Sequence, residues 1–302
     1  MSLSLFVLLV LLTLLVQGLL EPYRLVIDTI DGPVPGLPEG WRKTRVVLLA
    51  DFQVGLFMDN RATVRRAVTR TLALRPAFVI LAGDFIHDTE QGIKPVTELL
   101  RPLTRAGIPT FAVLGNHDYA MPTQRHSENR ALAQKLKGAL EEIGIRVLHN
   151  EVVTLENARG ETLYLVGIGP HVPEDDDPEV ALAAVPAGAP RVVLMHHPDS
   201  YARIGAHKAP LAFAGHTHGG QVRLPIASGR TLLTWLRDRQ NYNMDWAHRY
   251  GKPSNRLYIT RGIGCSVAPI RLNCPPELTL ITLERPEDAN GVPDSSAEQP
   301  DP

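Results

Sequence analysis

Five short clusters carry the side chains best suited to chemistry. They are Asp51-Phe52-Gln53, Gly83-Asp84, Gly115-Asn116-His117-Asp118, His196-His197-Pro198-Asp199 and Gly215-His216-Thr217-His218-Gly219-Gly220. They offer two Asp, one Asn, one Gln and at least three His as ligands, and no thiolate. Oxygen and imidazole donors suit Mn, Fe, Zn or a similar divalent ion. Seven or so such groups exceed the needs of one tetrahedral ion, whereas two ions bridged by one carboxylate use them all. Two ions about 3.5–4 Å apart clamp a phosphoryl group and make bound water a nucleophile near neutral pH. Taken singly, each cluster is weak: His-x-His is common on exposed strands, Gly-Asp is more often a turn, and Gly-Asn-His-Asp can close a hairpin. The weight lies in the joint pattern.

That pattern is positional. Each cluster follows a short apolar run that reads as a buried strand: Val46–Ala50, Phe78–Ala82, Phe111–Leu114, Val192–Met195 and Leu211–Ala214. Further runs lie at Leu163–Ile168, Leu257–Thr260 and Leu278–Leu283. Helical spacing appears at Val64, Ala67, Val68 and Leu72, and again at Leu132, Leu136, Leu140 and Ile143, closed by Gly144. Strand-helix alternation in the first half predicts an α/β sheet with helices on its faces, and the strand-rich second half predicts a mixed sheet or a second sheet. Ligands of open α/β sheets bind beyond the carboxyl ends of the strands, so five strand ends would gather the clusters in one cleft. Gly83, Gly115, Gly215 and Gly219 fall where the chain turns sharply beside a metal or phosphate.

The rest of the chain frames this unit. Its 302 residues, 44% hydrophobic, suffice for one sizeable core or two small ones. With 31 Lys plus Arg against 32 Asp plus Glu, the charge argues against a free-standing nucleic-acid binder. Leu3 to Leu20 carries no charge and would nearly cross a hydrocarbon core of about 30 Å. No basic residue precedes it and no small-x-small site follows it, which favours an uncleaved anchor at residues 1–20 over a cleaved signal that would leave a secreted protein. Arg24, Arg42, Lys43 and Arg45 bias the following domain toward the cytoplasm without fixing its side. Residues 21–44 read as a Pro/Gly-rich connector or edge strand, with a strand over Tyr23–Thr29. The polar stretch 286–302 is expected to be disordered. Cys265 and Cys274 are either one bridge or two free thiols.

The clusters closely resemble the signature of the calcineurin-like metallophosphoesterases: Asp-x-His, Gly-Asp, Gly-Asn-His-Asp/Glu, a lone His and Gly-His-x-His. The likeness runs from about Arg45 to Arg285, giving a catalytic domain over 45–285. Residues 215–225 (Gly-His-Thr-His-Gly-Gly-Gln-Val-Arg-Leu-Pro) and 275–283 (Pro-Pro-Glu-Leu-Thr-Leu-Ile-Thr-Leu) are similar to a branch of membrane-associated bacterial phosphoesterases. Some of that branch are UDP-2,3-diacylglucosamine pyrophosphatases of lipid A synthesis. The resemblance implies a mixed α/β fold, a four-layer α-β-β-α sandwich with the active site at strand carboxyl ends. Asp51, Gln53, Asp84 and His218 would hold a first metal, and Asp84, Asn116, His196 and His216 a second, with Asp84 bridging. His117 would be catalytic, facing the scissile phosphate. His197 is not an expected ligand. Manganese is favoured for the pair, with Fe, Zn, Ni or Co as alternatives.

Two departures stand out. Gln53 replaces the common His, and Gly83-Asp84-Phe85-Ile86-His87-Asp88 sets the second carboxylate of Gly-Asp-x-x-Asp one place late, leaving open what orients His117. The expected activity is hydrolysis of a phosphodiester or pyrophosphate, on a small or lipid-linked substrate near a membrane. The alternatives are a non-catalytic tethered scaffold of the same fold, and a nuclease or nucleotide phosphodiesterase. Oligomeric state has no signal here.

Overall fold

The computed structural model describes residues 2–56, 60–223, 244–247 and 250–287. In chain order the elements are α1 (Leu3–Leu20), β1 (Val26–Pro33), β2 (Arg45–Leu49), α2 (Arg61–Leu74), β3 (Phe78–Ala82), α3 (Ile93–Arg105), β4 (Thr110–Val113), α4 (Arg130–Glu142), β5 (Arg146–Val147), β6 (Glu151–Glu156), β7 (Thr162–Gly167), α5 (Pro178–Ala183), β8 (Arg191–Leu194), α6 (Asp199–Ala202), β9 (Ala212–Ala214), β10 (Asp245–Trp246), β11 (Leu257–Ile259) and β12 (Glu277–Glu284). They build two six-stranded mixed sheets, ordered β1-β12-β2-β3-β4-β5 and β10-β11-β9-β8-β7-β6. In the first, β2 to β5 run parallel and β12 lies antiparallel to β2. In the second, β7, β8, β9 and β11 run parallel.

Strand alternation explains the layers. Successive side chains of a strand point to opposite faces, so a strand apolar throughout is buried on both. Val46 and Leu48 of β2, with Ile80 and Val113, face Leu165, Val192, Leu194 and Phe213 of the second sheet. Val47 and Leu49 point the other way, into a cluster with Val64 and Val68 of α2, Leu100 of α3 and Leu136 of α4. Val166, Val193 and Met195 of the second sheet pack outward on Leu182 of α5 and Tyr201 of α6. The result is a four-layer α-β-β-α sandwich.

Several boundaries differ from the sequence expectation. The first strand covers Val26–Pro33 rather than Tyr23–Thr29, because Glu21–Tyr23 forms a 3-10 turn with Glu21 and Pro22 buried. Residues 26–33 are therefore an edge strand of the first sheet, paired in parallel with β12. Helix α3 had no sequence assignment: Pro102 lies in its interior and argues against a helix, yet Val96, Leu99, Leu100 and Leu103 bury one face. Strand β6 alternates polar residues at a sheet edge and gave no apolar run. Cys265 and Cys274 are both free and buried. The stretch expected to be disordered falls outside the described residues from position 288 onward.

Helix α1 is long and apolar enough to cross a membrane. Of its residues only Gly18 is buried, while Leu3, Phe6, Leu8 and Leu11 are exposed.

Candidate active site

The five clusters converge as their spacing predicts. Asp51 and Gln53 follow β2, Asp84 follows β3, Asn116 and His117 follow β4, His196 follows β8, and His216 and His218 follow β9. The first three strands belong to one sheet and the last two to the other, so the site straddles the seam between the sheets at their carboxyl ends. Asp51, Gln53, Asp84, Asn116, His117, His196 and His218 are buried, and His216 is partly so. Asp51, Gln53, Asp84, Asp88, His216 and His218 all take positive φ, between 49° and 72°. Such left-handed conformations are uncommon for residues with a Cβ and concentrate at functional sites. Gly115 meets a different need: a Cβ there would lie 2.2 Å from Asp84 Oδ1.

One group of donors surrounds Asn116. Its amide nitrogen donates to the Met121 carbonyl (2.8 Å), which turns Oδ1 inward. That oxygen lies 3.2 Å from His196 Nε2 and 3.1 Å from His216 Nδ1. His196 Nδ1 donates to the Ala82 carbonyl (2.7 Å), so in the neutral ring the lone pair falls on Nε2, 3.3 Å from Asp84 Oδ2. Carbonyl-fixed tautomers of this kind are how metal-binding imidazoles are oriented. A second group shares Asp84 with the first. Gln53 Nε2 donates to Asp84 Oδ2 (2.8 Å), and His218 Nε2 lies 3.8 Å from Asp51 Oδ1. Asp51, Asp84 and His196 place ligand atoms within 4.8 Å of one another. Gln53 turns its oxygen to His87 Nδ1 (2.8 Å); a half-turn of the amide presents that oxygen to Asp84's side instead.

Electrostatics fit cations here. Burial pushes the Asp51 carboxyl up to about 7, and Asp84's charge adds to this. Burial lowers His216 to about 3 and holds His218 well below the usual imidazole range, with nearby positive groups adding to both shifts. Both rings are thus neutral and offer lone pairs. Burial also disfavours charge on His196, but the Asp84 carboxylate overrides it and raises that ring to about 9. Buried carboxylates beside the neutral His216 and His218 rings suit divalent ions. His197, buried with neither ring nitrogen partnered among the described residues, packs its ring 4.1 Å from that of His216.

Two residues beside the ligand groups had been left without a role. Asp118 is an anchor: it accepts from the backbone N–H of Asp84 (3.0 Å), Phe85 (2.8 Å), Ile86 (3.2 Å) and Gly115 (2.8 Å). The open question of what orients His117 is answered by Asp88, whose Oδ1 lies 2.9 Å from His117 Nδ1. Its φ of 59° turns the carboxylate back toward the site from its later position in the chain. His87 stacks on His117 at 5.1 Å.

These contacts generate two predictions. Burial lowers the His117 pKa, but Asp84 and Asp88 outweigh it and leave the ring raised. Asp88→Asn removes one of those charges, so the ring loses its proton at lower pH. If protonated His117 assists the leaving group, the alkaline limb of the kcat profile should move to lower pH in Asp88→Asn, and His117→Ala should cost about 10²–10⁴ in kcat, both with metal content unchanged. An unmoved limb, or loss of metal from His117→Ala, contradicts the assignment. The second concerns Gln53, whose neutral amide is a weaker donor than imidazole toward late divalent metals. Gln53→His should tighten one of two sites and shift it toward Zn²⁺, and Gln53→Ala should weaken that site alone. Identical metal titrations for all three proteins would show that Gln53 does not reach the ion.

The comparisons with known proteins agree with this geometry. The calcineurin-like phosphoesterase family matches residues 44–220. The chain is 31% identical over 240 residues to the phosphodiesterase YaeI of Escherichia coli, covering 79% of this chain and 82% of that protein. It is 26% identical over 272 residues to the uncharacterized metallophosphoesterase YkuE of Bacillus subtilis, covering 88% and 87%. It is 23% identical over 302 residues to the UDP-2,3-diacylglucosamine pyrophosphatase LpxG of Chlamydia trachomatis, covering 87% and 90%. A family match across the strand-end clusters, a relative of this identity and a cleft of carboxylate and imidazole donors lead to one conclusion: the chain belongs to the calcineurin-like phosphoesterase family and is a hydrolase of phosphoester bonds.

Proposed function

We propose that the protein is a membrane-anchored two-metal phosphohydrolase that cleaves a phosphodiester or pyrophosphate in a lipid-linked substrate. The observation that carries the two-metal reading is the position of Asp84, whose Oδ2 is shared by the two donor groups, 2.8 Å from Gln53 Nε2 and 3.3 Å from His196 Nε2. Asp51, Gln53, Asp84 and His218 would hold the first ion, and Asp84, Asn116, His196 and His216 the second. The neutral Gln53 amide favours manganese in the first site. When bound, the two ions supply Lewis acidity and a water nucleophilic at neutral pH.

The residues around that centre have their own tasks. His117, held by Asp88 and by its N–H to Asp84 Oδ1 (3.0 Å), protonates the departing oxygen. Asp118 fixes the turn after β3, and so the position of Asp84. The intact donor set speaks against a non-catalytic scaffold, and a formal net charge of −1 speaks against a nuclease.

The lipid-linked substrate is supported by where α1 ends. The Gly18 carbonyl accepts from Arg271 N–H (3.0 Å), in a segment that leads to Gly264, whose N–H donates to the Asp51 carbonyl (2.6 Å). The strand carboxyl ends thus lie at the same end of the domain as the base of the apolar helix. A bilayer that holds α1 would bring its headgroups to the cleft. The likeness to LpxG, named as a UDP-2,3-diacylglucosamine pyrophosphatase, points to the same substrate class.

Full-length protein in mixed micelles tests this reading. With Mn²⁺ it should hydrolyse UDP-2,3-diacylglucosamine with a kcat/KM about 10² or more above that for a soluble chromogenic phosphodiester, since the tether raises effective concentration. A chelator should abolish both activities. Equal efficiency on the two substrates would refute the lipid-linked assignment while leaving the phosphohydrolase intact.

A further inference from the structure

The base of α1 is built into the catalytic domain. Gly18, in its last turn, is buried, and a Cβ there would lie 2.8 Å from Ile270 Cγ2. The backbone N–H of Arg271 reaches the Gly18 carbonyl at 3.0 Å. Three residues on, Glu21 accepts the backbone N–H of Cys274, and Thr63 of α2 donates to the Pro22 carbonyl (3.0 Å). Close approach of helix to loop requires glycine at position 18, where any side chain must displace Ile270.

Arg271 is the most unusual residue in this contact. It is fully buried, and among the described residues the hydrogen bonds of its guanidinium reach no carboxylate. A buried cation without a paired anion is costly unless its donors are satisfied in another way. Here they go to backbone oxygens: Nε to Gly264 (3.1 Å), one terminal nitrogen to Cys274 (3.0 Å) and the other to Arg261 (2.8 Å). The planar five-donor fork of arginine can span these carbonyls, and the point charge of lysine cannot. The Gly264 carbonyl held in this way also lies 3.3 Å from His218 Nδ1, and the Gly264 N–H is bonded to the Asp51 carbonyl. The contact with Gly264 assigns the proton of His218 to Nδ1 and leaves Nε2 to face Asp51.

We infer that Arg271 is a positioning residue that couples docking of the anchor helix on the catalytic domain to the first metal site, through the Gly264 carbonyl and His218. The inference rests on the assignment of Asp51 and His218 to the first metal. It makes the last turn of α1 part of the site's support, so this turn must be retained for the site to keep its shape. The second site meets this chain of contacts at its far end, through the shared Asp84 and the backbone N–H of His216 on Asp51, and its ligands Asn116, His196 and His216 are not ones that Arg271 or Gly264 holds.

The two cysteines report docking without reference to metal. Cys265 is 3% exposed and Cys274 is fully buried beside the Glu21 contact. Full-length protein in detergent micelles is compared as wild type, Gly18→Leu and Arg271→Lys, by maleimide labelling and by Mn²⁺ titration. Gly18→Leu keeps the helix apolar but forces it off Ile270. It should speed labelling of Cys274 by about tenfold or more, as expected for local opening. Both variants should weaken the first Mn²⁺ site by about 10–100-fold, the usual effect of losing a partner behind a ligand, and leave the second within about threefold. If Gly18→Leu fails to fold, Gly18→Ala takes its place and Arg271→Lys tests the loop with α1 docked. Protected thiols with both Mn²⁺ affinities unchanged would overturn the coupling. So would equal weakening of the two sites, which marks a general loss of stability. Faster labelling of Gly18→Leu with no Mn²⁺ bound to any variant would instead refute the metal assignment.

Discussion

Two carboxylates, Asp51 and Asp84, are fully buried at neighbouring strand ends, close enough that the charge on Asp84 raises the cost of charge on Asp51. Water cannot screen them there, and like charges in a dry site repel strongly. The surrounding structure answers that constraint. Strands from two sheets end at the seam and deliver imidazoles, of which His216 and His218 are kept neutral by burial. Backbone N–H groups are aimed at the carboxylates, from His117 to Asp84 and from His216 to Asp51. Two divalent ions sharing Asp84 would turn the remaining cost into binding energy.

Holding such a site costs backbone strain, and the fold supplies fixed points against it. Asp118 gathers four N–H groups from two loops. Burial and the Asp84 charge push its carboxyl up to about 7, against those four donors, so it too responds to the charge placed beside it. Asp88 and Asp84 hold His117 from two directions. On the other flank, Arg271 ties loop carbonyls together where α1 meets the domain. Beneath that loop, Glu277 of β12 accepts from Tyr258 Oη (2.9 Å) and pairs with Arg261 Nε (3.0 Å), which ties the loop to both sheets. Strain at the centre is thus met by hydrogen bonds at the rim, from Asp118, Asp88, Arg271 and Glu277 outside the ligand set.

The sequence made the convergent cluster of candidate ligands legible because these residues follow apolar strands, and both signals are local. Asp51, Asp84, Asn116, His196, His216 and His218 all lie within a few residues of a strand end and converge as their positions imply. Gln53 lies where its cluster placed it, though its oxygen faces His87. What stayed hidden depends on three-dimensional context. Asp88 was visible only as a misplaced carboxylate, since its left-handed backbone, which brings it back to His117, leaves no mark in composition. Arg271 carries no signal in the sequence, because nothing local indicates burial among carbonyls. Gly18 read as one more small residue in an apolar stretch, and its packing on Ile270 needs a partner some 250 positions away. Helix α3 was obscured by its own Pro102, overruled by a buried face.

The account depends on Asp84 serving two cations at once. The most direct test is the number of Mn²⁺ ions bound per chain at saturation by equilibrium dialysis, for wild type and for Asp84→Asn, a replacement of similar shape with no charge. Shared coordination predicts two ions per wild-type chain and at most one, weakly held, in Asp84→Asn, with the fold preserved. Two tightly bound ions in Asp84→Asn, or only one in the wild type, would contradict it.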